Sequence, residues 1–160
     1  MICRLIIAAA AAAFLTFSPT VSAQQAPLGT PQEARTMLEK AVDAVKADQA
    51  VALAAFNKGE GGFADRDLNT FCFRISDGTL IASPRAIPAG TDVRTLRDPT
   101  GKNFGDQLYA AAQKPEGQIS EVGPYMFPKP GTTAPVVPKV SFVTRAPLSW
   151  PRRLESAPAD

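Results

Sequence analysis

Histidine is absent from all 160 residues. Without an imidazole the chain cannot build a serine–histidine–aspartate or cysteine–histidine relay, and it lacks the commonest side-chain metal ligand. Cysteine is nearly absent too, with only Cys3 and Cys72. Neither sign of charge prevails, since 17 Lys and Arg face 15 Asp and Glu, so no broad field draws the chain to nucleic acid. There is no P-loop, GxGxxG or cysteine–haem motif, and no cofactor is expected. "GEGG" at 59–62 resembles a phosphate cradle only in glycine content. It follows a helical pattern instead of opening one, so it reads as a hinge. Beyond Gln24 no apolar run approaches the roughly 20 residues that span a bilayer.

Residues 1–23 read as a signal peptide. Arg4 supplies the basic n-region, "LIIAAAAAAFLTF" is an apolar run of 13 residues, and Val21 and Ala23 are small enough for signal peptidase subsites. The alternative is an uncleaved anchor, for which 13 residues are short. Cys3 precedes the apolar run, so lipoprotein acylation is not indicated. Removing 23 of 160 residues leaves 137, one domain's worth, with 16 basic and 15 acidic side chains. The expected location is periplasmic or secreted.

Cys72 is then the lone thiol, and no intramolecular disulfide is possible. "TFCFRIS" alternates, which favours burial of Cys72 as a small apolar residue in a sheet. A reactive thiolate needs a positive, partly exposed setting, and Arg74 is the nearby cation.

Residues 24–29 form a short polar leader. "TPQE" then opens a helix: Thr30 caps, Pro31 suits the first helical position and Glu33 completes a capping box. Apolar residues at three- and four-residue intervals from Ala34 to Phe56 predict one long amphipathic helix over 31–58, with a bend possible at "KADQ". Gly59 supplies a left-handed stop. A strand is expected over 70–76, a type I′ turn at Asp77-Gly78, and a second strand in "TLIAS". A long polar connection with a turn at 98–101 leads to a helix over about 104–113. Strands are expected near 117–127 and 137–144, joined by a proline-rich turn. The fold class is α+β, in one domain over 30–145, and no internal repeat is present.

The candidate site lies near one end of that sheet. In the stretch from Tyr125 to Arg145 two lysines and four prolines separate the last two strands. Tyr125, Phe127 and Lys129 share one face at period two, Lys139 and Ser141 share another, and Phe73 lies on the face of Phe71 and Ile75. Two lysines, a tyrosine and a serine can bind a carboxylate; solvated lysines on a surface are the plain alternative. Asp65 and Asp67 in "DRDL" read as turn formers rather than as a catalytic pair.

"FADRDLNTFCFRISDGTLIASP", "GTDVRTLRDPTGKNFGDQLYAAA" and "YMFPKPGTTAPVVPKVSFV" together resemble the single Cache domain, over about 30–144. The resemblance implies a PAS-like extracytoplasmic module: a long N-terminal helix packed on an antiparallel sheet, with a small-molecule pocket that senses metabolites such as organic acids. This chain resembles the freestanding periplasmic versions. Two departures stand out. Ser83-Pro84 replaces the family's frequent His-Pro, and the final glycine-rich aromatic strand is replaced by "APLSWPRRLESAPAD". Proline does not donate to a ladder, so residues 146–160 are expected to form a disordered tail with Trp150 exposed, leaving neighbouring strands unpaired.

The expected function is therefore binding and sensing of a small organic anion without catalysis, through Phe73, Tyr125, Phe127, Lys129, Lys139 and Ser141. A protein-interaction module that uses its long helix to dimerise or to dock on a membrane sensor is the alternative, and an enzyme built on lysine and carboxylates is a third reading. Intact-mass measurement of exported protein should show cleavage between Ala23 and Gln24. A mass that includes residues 1–23 would contradict it.

Overall fold

The computed structural model describes residues 28–83, 87–128, 133 and 136–146. The expected signal peptide, the proposed tail after Ala146, Trp150 and Lys129 lie outside the described residues. Within them the fold is mixed α+β, with three helices and small antiparallel sheets.

The first helix, α1 (Pro31–Ala47), starts as its sequence demands. Thr30 Oγ1 accepts from the Glu33 N–H at 3.2 Å, and Glu33 Oε2 accepts from the Thr30 N–H at 2.7 Å, which closes the capping box. The single long helix is not formed. Asp48 leaves helical geometry at φ −158° and ψ 105°, and a second helix, α2 (Gln49–Lys58), begins. The reason is chemical: the Asp48 carboxylate accepts the Val51 N–H at 3.0 Å, so an aspartate mid-pattern acts as a new N-cap. Gly59 ends α2 in the left-handed region at φ 69°.

A two-residue ladder, β1 (Ala64–Asp65) with β2 (Leu68–Asn69), turns at Arg66, whose φ is +53°. The next strand, β3, covers only Cys72–Phe73 of the expected 70–76. Thr70 is lost to it because its N–H goes to the Phe63 carbonyl at 2.9 Å. β3 pairs with β4 (Leu80–Ala82) through an irregular register. Asp77-Gly78 does not form a type I′ turn, because only Gly78 has positive φ (73°). The Asp77 carboxylate instead accepts the Thr79 N–H at 2.9 Å, and the loop closes where the Arg74 N–H meets the Thr79 carbonyl at 2.9 Å.

A short 3₁₀ turn at Val93–Thr95 and α3 (Gly105–Ala112) follow. Gly105 is required where they meet: a Cβ there would lie 2.0 Å from the Val93 carbonyl oxygen. The last two strands, β5 (Ser120–Pro128) and β6 (Val136–Val143), form the longest ladder, with a register shift between Val122 and Tyr125. Among the described residues the three ladders are separate two-stranded sheets.

The core is in two pieces. Val93, Phe104, Leu108, Val122, Tyr125 and Val143 make one, between α3 and the β5–β6 ladder. Ala41, Val45, Ala52, Phe56, Phe63 and Ala82 make the other, between the α1–α2 pair and the β3–β4 ladder. Among the described residues no helix is long and apolar enough to cross a membrane.

The connection over 98–102 is held by one carboxylate. Asp98, buried at 6 % exposure, accepts the N–H groups of Thr100 and Lys102, the Thr100 hydroxyl and, through Oδ2, the Met126 N–H at 2.9 Å. The Met126 bond, ahead of the Thr100 hydroxyl, holds the Asp98 carboxyl down at about 2. Its folded pKa is depressed, so the stabilisation is complete above the ordinary aspartate range and is lost as pH falls through about 2. Asp98→Asn should therefore lower the melting temperature at neutral pH, with the gap to wild type closing on acidification. A gap that stays constant down to about pH 2 would deny the carboxylate this role.

Candidate functional site

Between the two pieces of core lies a cavity of about 830 Å³. One wall is the apolar side of α1 and α2, including Met37, Leu38, Val42 and Leu53. Phe104, Leu108, Tyr125 and Phe127 also line it, as do the chain segments 68–76 and 139–146.

Five of the six residues expected at the site line this cavity: Phe73, Tyr125, Phe127, Lys139 and Ser141. Ladder register explains the last four, because Tyr125 pairs with Lys139 and Phe127 with Val137, which sets the β5 aromatics beside the odd-numbered face of β6. Tyr125 is buried and stacked on Phe104, with ring centroids 4.2 Å apart and planes at 7°. Its hydroxyl and that of Ser141 are 2.6 Å apart, so each satisfies the other. Burial pushes the Tyr125 phenol up from its ordinary value, with the Ser141 bond partly offsetting it. Phe127 stands edge-on to both Tyr125 and Phe104. Phe73 joins from the other hairpin, stacked on Phe71 and 6.4 Å from the Tyr109 ring.

Lys139 is half-buried, and its Nζ donates to the Asp67 carbonyl at 2.6 Å while lying 5.7 Å from the Phe127 ring centre. Burial pulls its pKa below the usual lysine range, and the Asp67 carboxylate partly restores it. An ammonium has three hydrogens to donate, and only the Asp67 bond takes one among the described residues. The remaining donors belong to a cavity whose lining is mostly apolar but also includes Arg74, Glu116 and Arg145.

Asp67 itself was legible only as a turn former. Its Oδ1 accepts the Gly29 N–H at 2.6 Å, which fits that role, and its carbonyl does the unexpected work of holding Lys139. Asp65 pairs with Arg66, at 2.9 Å from Nη2. The helical wall was missed as part of the site, because an apolar stripe on a helix gives no sign of whether it meets a core or a cavity. Among the described residues no group of acidic or cysteine side chains is placed to hold a metal ion. No protein-family model, no curated protein and no solved structure matches the chain.

Cys72 is half-buried rather than buried, since it faces the cavity. Burial still pushes its thiol up to about 12. The thiolate is the reacting form, so labelling of the native protein at pH 8 by a thiol reagent should run far below the rate in denaturant. Equal rates would show that the thiol is open to solvent.

Proposed function

We propose that this chain is an extracytoplasmic, non-catalytic binding and sensing domain of the kind the single Cache resemblance implies. Its ligand is a small organic acid with a largely apolar body, taken into the cavity with its carboxylate at Lys139. The observation that carries this reading is the convergence of Phe73, Tyr125, Phe127, Lys139 and Ser141 on one cavity of about 830 Å³. That volume lies within the roughly 300–1,000 Å³ typical of small-molecule sites, which combine an apolar lining with a few polar groups. Tyr125 and Ser141 satisfy each other, so of the five converging residues Lys139 is the one left to fix the anionic end, in a lining that also holds Arg74 and Arg145. The rival in which the helix docks outward on a membrane sensor has less support. The apolar side of α1 and α2 is turned into the cavity, and Val51 is the large apolar side chain they leave exposed.

A thermal-shift screen of organic acids against their amides tests the reading. A ligand present at 100 times its Kd adds about 2.7 kcal/mol of stability. Acids should shift the melting temperature more than the matching amides. Lys139→Met, which keeps the aliphatic stem on Phe127, should erase the difference by removing a charge-assisted bond of about 1.5 to 3 kcal/mol. No shift with any acid, or the same preference in the variant, would refute this assignment.

A further inference from the structure

The two segments that bound the cavity do so in an unusual way. A strand that lines a cavity with its face contributes alternate residues, because side chains alternate. Here every residue from 68 to 76 and every residue from 139 to 146 is in the lining. Within the strands themselves, the unbroken run 139–143 of β6 and both residues of β3 mean that these two strands present backbone edges to the cavity.

Hydrogen bonds fix which backbone groups point there. The Met126 N–H is turned away from β6 to Asp98, so Met126 and Pro138 are a pair that exchanges no ladder bonds. Antiparallel ladders alternate, so Lys139 and Ser141 turn inward to β5, while Val140 and Phe142 turn their N–H and C=O groups toward the cavity. On the other hairpin, Leu80 gives its N–H to Thr91 and accepts from Gly90, both at 2.8 Å, and so faces away from β3. Its partner Phe73 therefore faces the cavity. Further along the same segment, in the turn after β3, the Ile75 carbonyl is taken by the Tyr109 hydroxyl at 2.8 Å.

The outer edges of the same hairpins are covered. Residues 90–92 pair along β4, and Asp98 and Lys102 cap β5 at Met126 and at the Pro124 carbonyl. Among the described residues no backbone bond joins 68–76 to 139–146. Thr144, on the same edge, also keeps a buried hydroxyl without a partner among the described residues. Burying peptide groups unpaired is costly.

We propose that the cavity is a strand-acceptor slot, completed by an extended, proline-free apolar segment of another protein that pairs with Phe73 on one side and with Val140 and Phe142 on the other. Its side chains would point alternately to the α1–α2 wall and to the Phe104–Tyr125 wall. Both are apolar, so the segment is apolar at consecutive positions, as in a strand buried on both faces. Lys139 at one end of the slot calls for a carboxylate there on the incoming segment. The chain's own residues 147–160, outside the described residues, carry Pro147, Pro151 and Pro158, and their longest proline-free run, 152–157, includes Arg152, Arg153 and Glu155. That composition does not suit a central strand.

The probe is a synthetic peptide with a five-residue valine–isoleucine core, solubilising lysines at its start and a free C-terminal carboxylate. It is titrated by fluorescence anisotropy against the exported, purified protein. Saturable binding is expected, with at least a tenfold loss when alternate core amides are N-methylated, since methylation removes donors and keeps side chains. Hydrogen exchange at the Phe73, Val140 and Phe142 amides should be fast in the free protein and slow in the complex, while Lys139 and Ser141 stay protected throughout. Val140→Pro, which removes a slot-facing donor and no β5 bond, should weaken binding in the same way. Absence of peptide binding, or binding indifferent to N-methylation, overturns the proposal. So does protection of the three amides in the free protein, which would mean that the chain's own segments fill the slot. Stabilisation by organic acids without peptide binding would leave the small-molecule reading standing and end this one; the reverse result would end that reading alone.

Discussion

The Asp98 carboxylate organises more of this molecule than any other single group. By accepting the Met126 N–H it ties the 98–102 turn to β5, and by accepting the Thr100 and Lys102 amides it holds that turn in shape. The turn leads directly into α3, whose start is seated on the Val93 carbonyl through Gly105. One charged side chain thus locates the β5–β6 ladder relative to the helix that packs on it through Leu108, Ala111 and Ala112. It also covers the outer edge of β5, so that the open backbone of this ladder faces inward. A carboxylate that accepts several amides stays ionised far below its usual range, which is why this junction should weaken only in strong acid.

The division of the core follows from the sheets. A continuous sheet would give the helices on one side and the aromatic cluster on the other a shared layer to pack on. Three separate ladders leave a gap in that layer, and the two clusters face each other across it. The arrangement sacrifices cohesion for an interior that can be occupied. Phe56, Leu80, Leu108 and Val93 are fully buried and anchor the two clusters on either side of the gap.

Local signals were well written in the sequence. The Thr30–Glu33 capping box, the stop at Gly59, the turn at 98–101 and the final hairpin all form close to where their residues place them. So does the meeting of Tyr125, Phe127, Lys139 and Ser141, because period two and a hairpin register suffice to bring them together. Two of the failures share one cause, which is side-chain oxygens competing for backbone amides. Asp48 and Asp77 each capture an amide that helical or hairpin periodicity assigns elsewhere, and each rewrites the local geometry. The shortness of β3 was not legible, since the Thr70 amide is diverted to a carbonyl seven residues upstream, at Phe63. Nor was the cavity, which depends on how ladders are spaced rather than on which residues compose them.

The break at Asp48 has a mechanical meaning. α1 is attached to the β5–β6 side, where the Arg35 guanidinium lies 4.2 Å above the Phe142 ring and reaches Glu121. α2 is attached to the other side, where Asn57 bonds the Ile81 carbonyl and the Ser83 amide. α1 also reaches that second side, through Ala41 and Val45 in the shared cluster and through Glu33, which pairs with Arg66 at 2.7 Å. The two helices meet at a residue in extended geometry, so the break at Asp48 lets one helical layer change direction and cover both ladders instead of overshooting one of them.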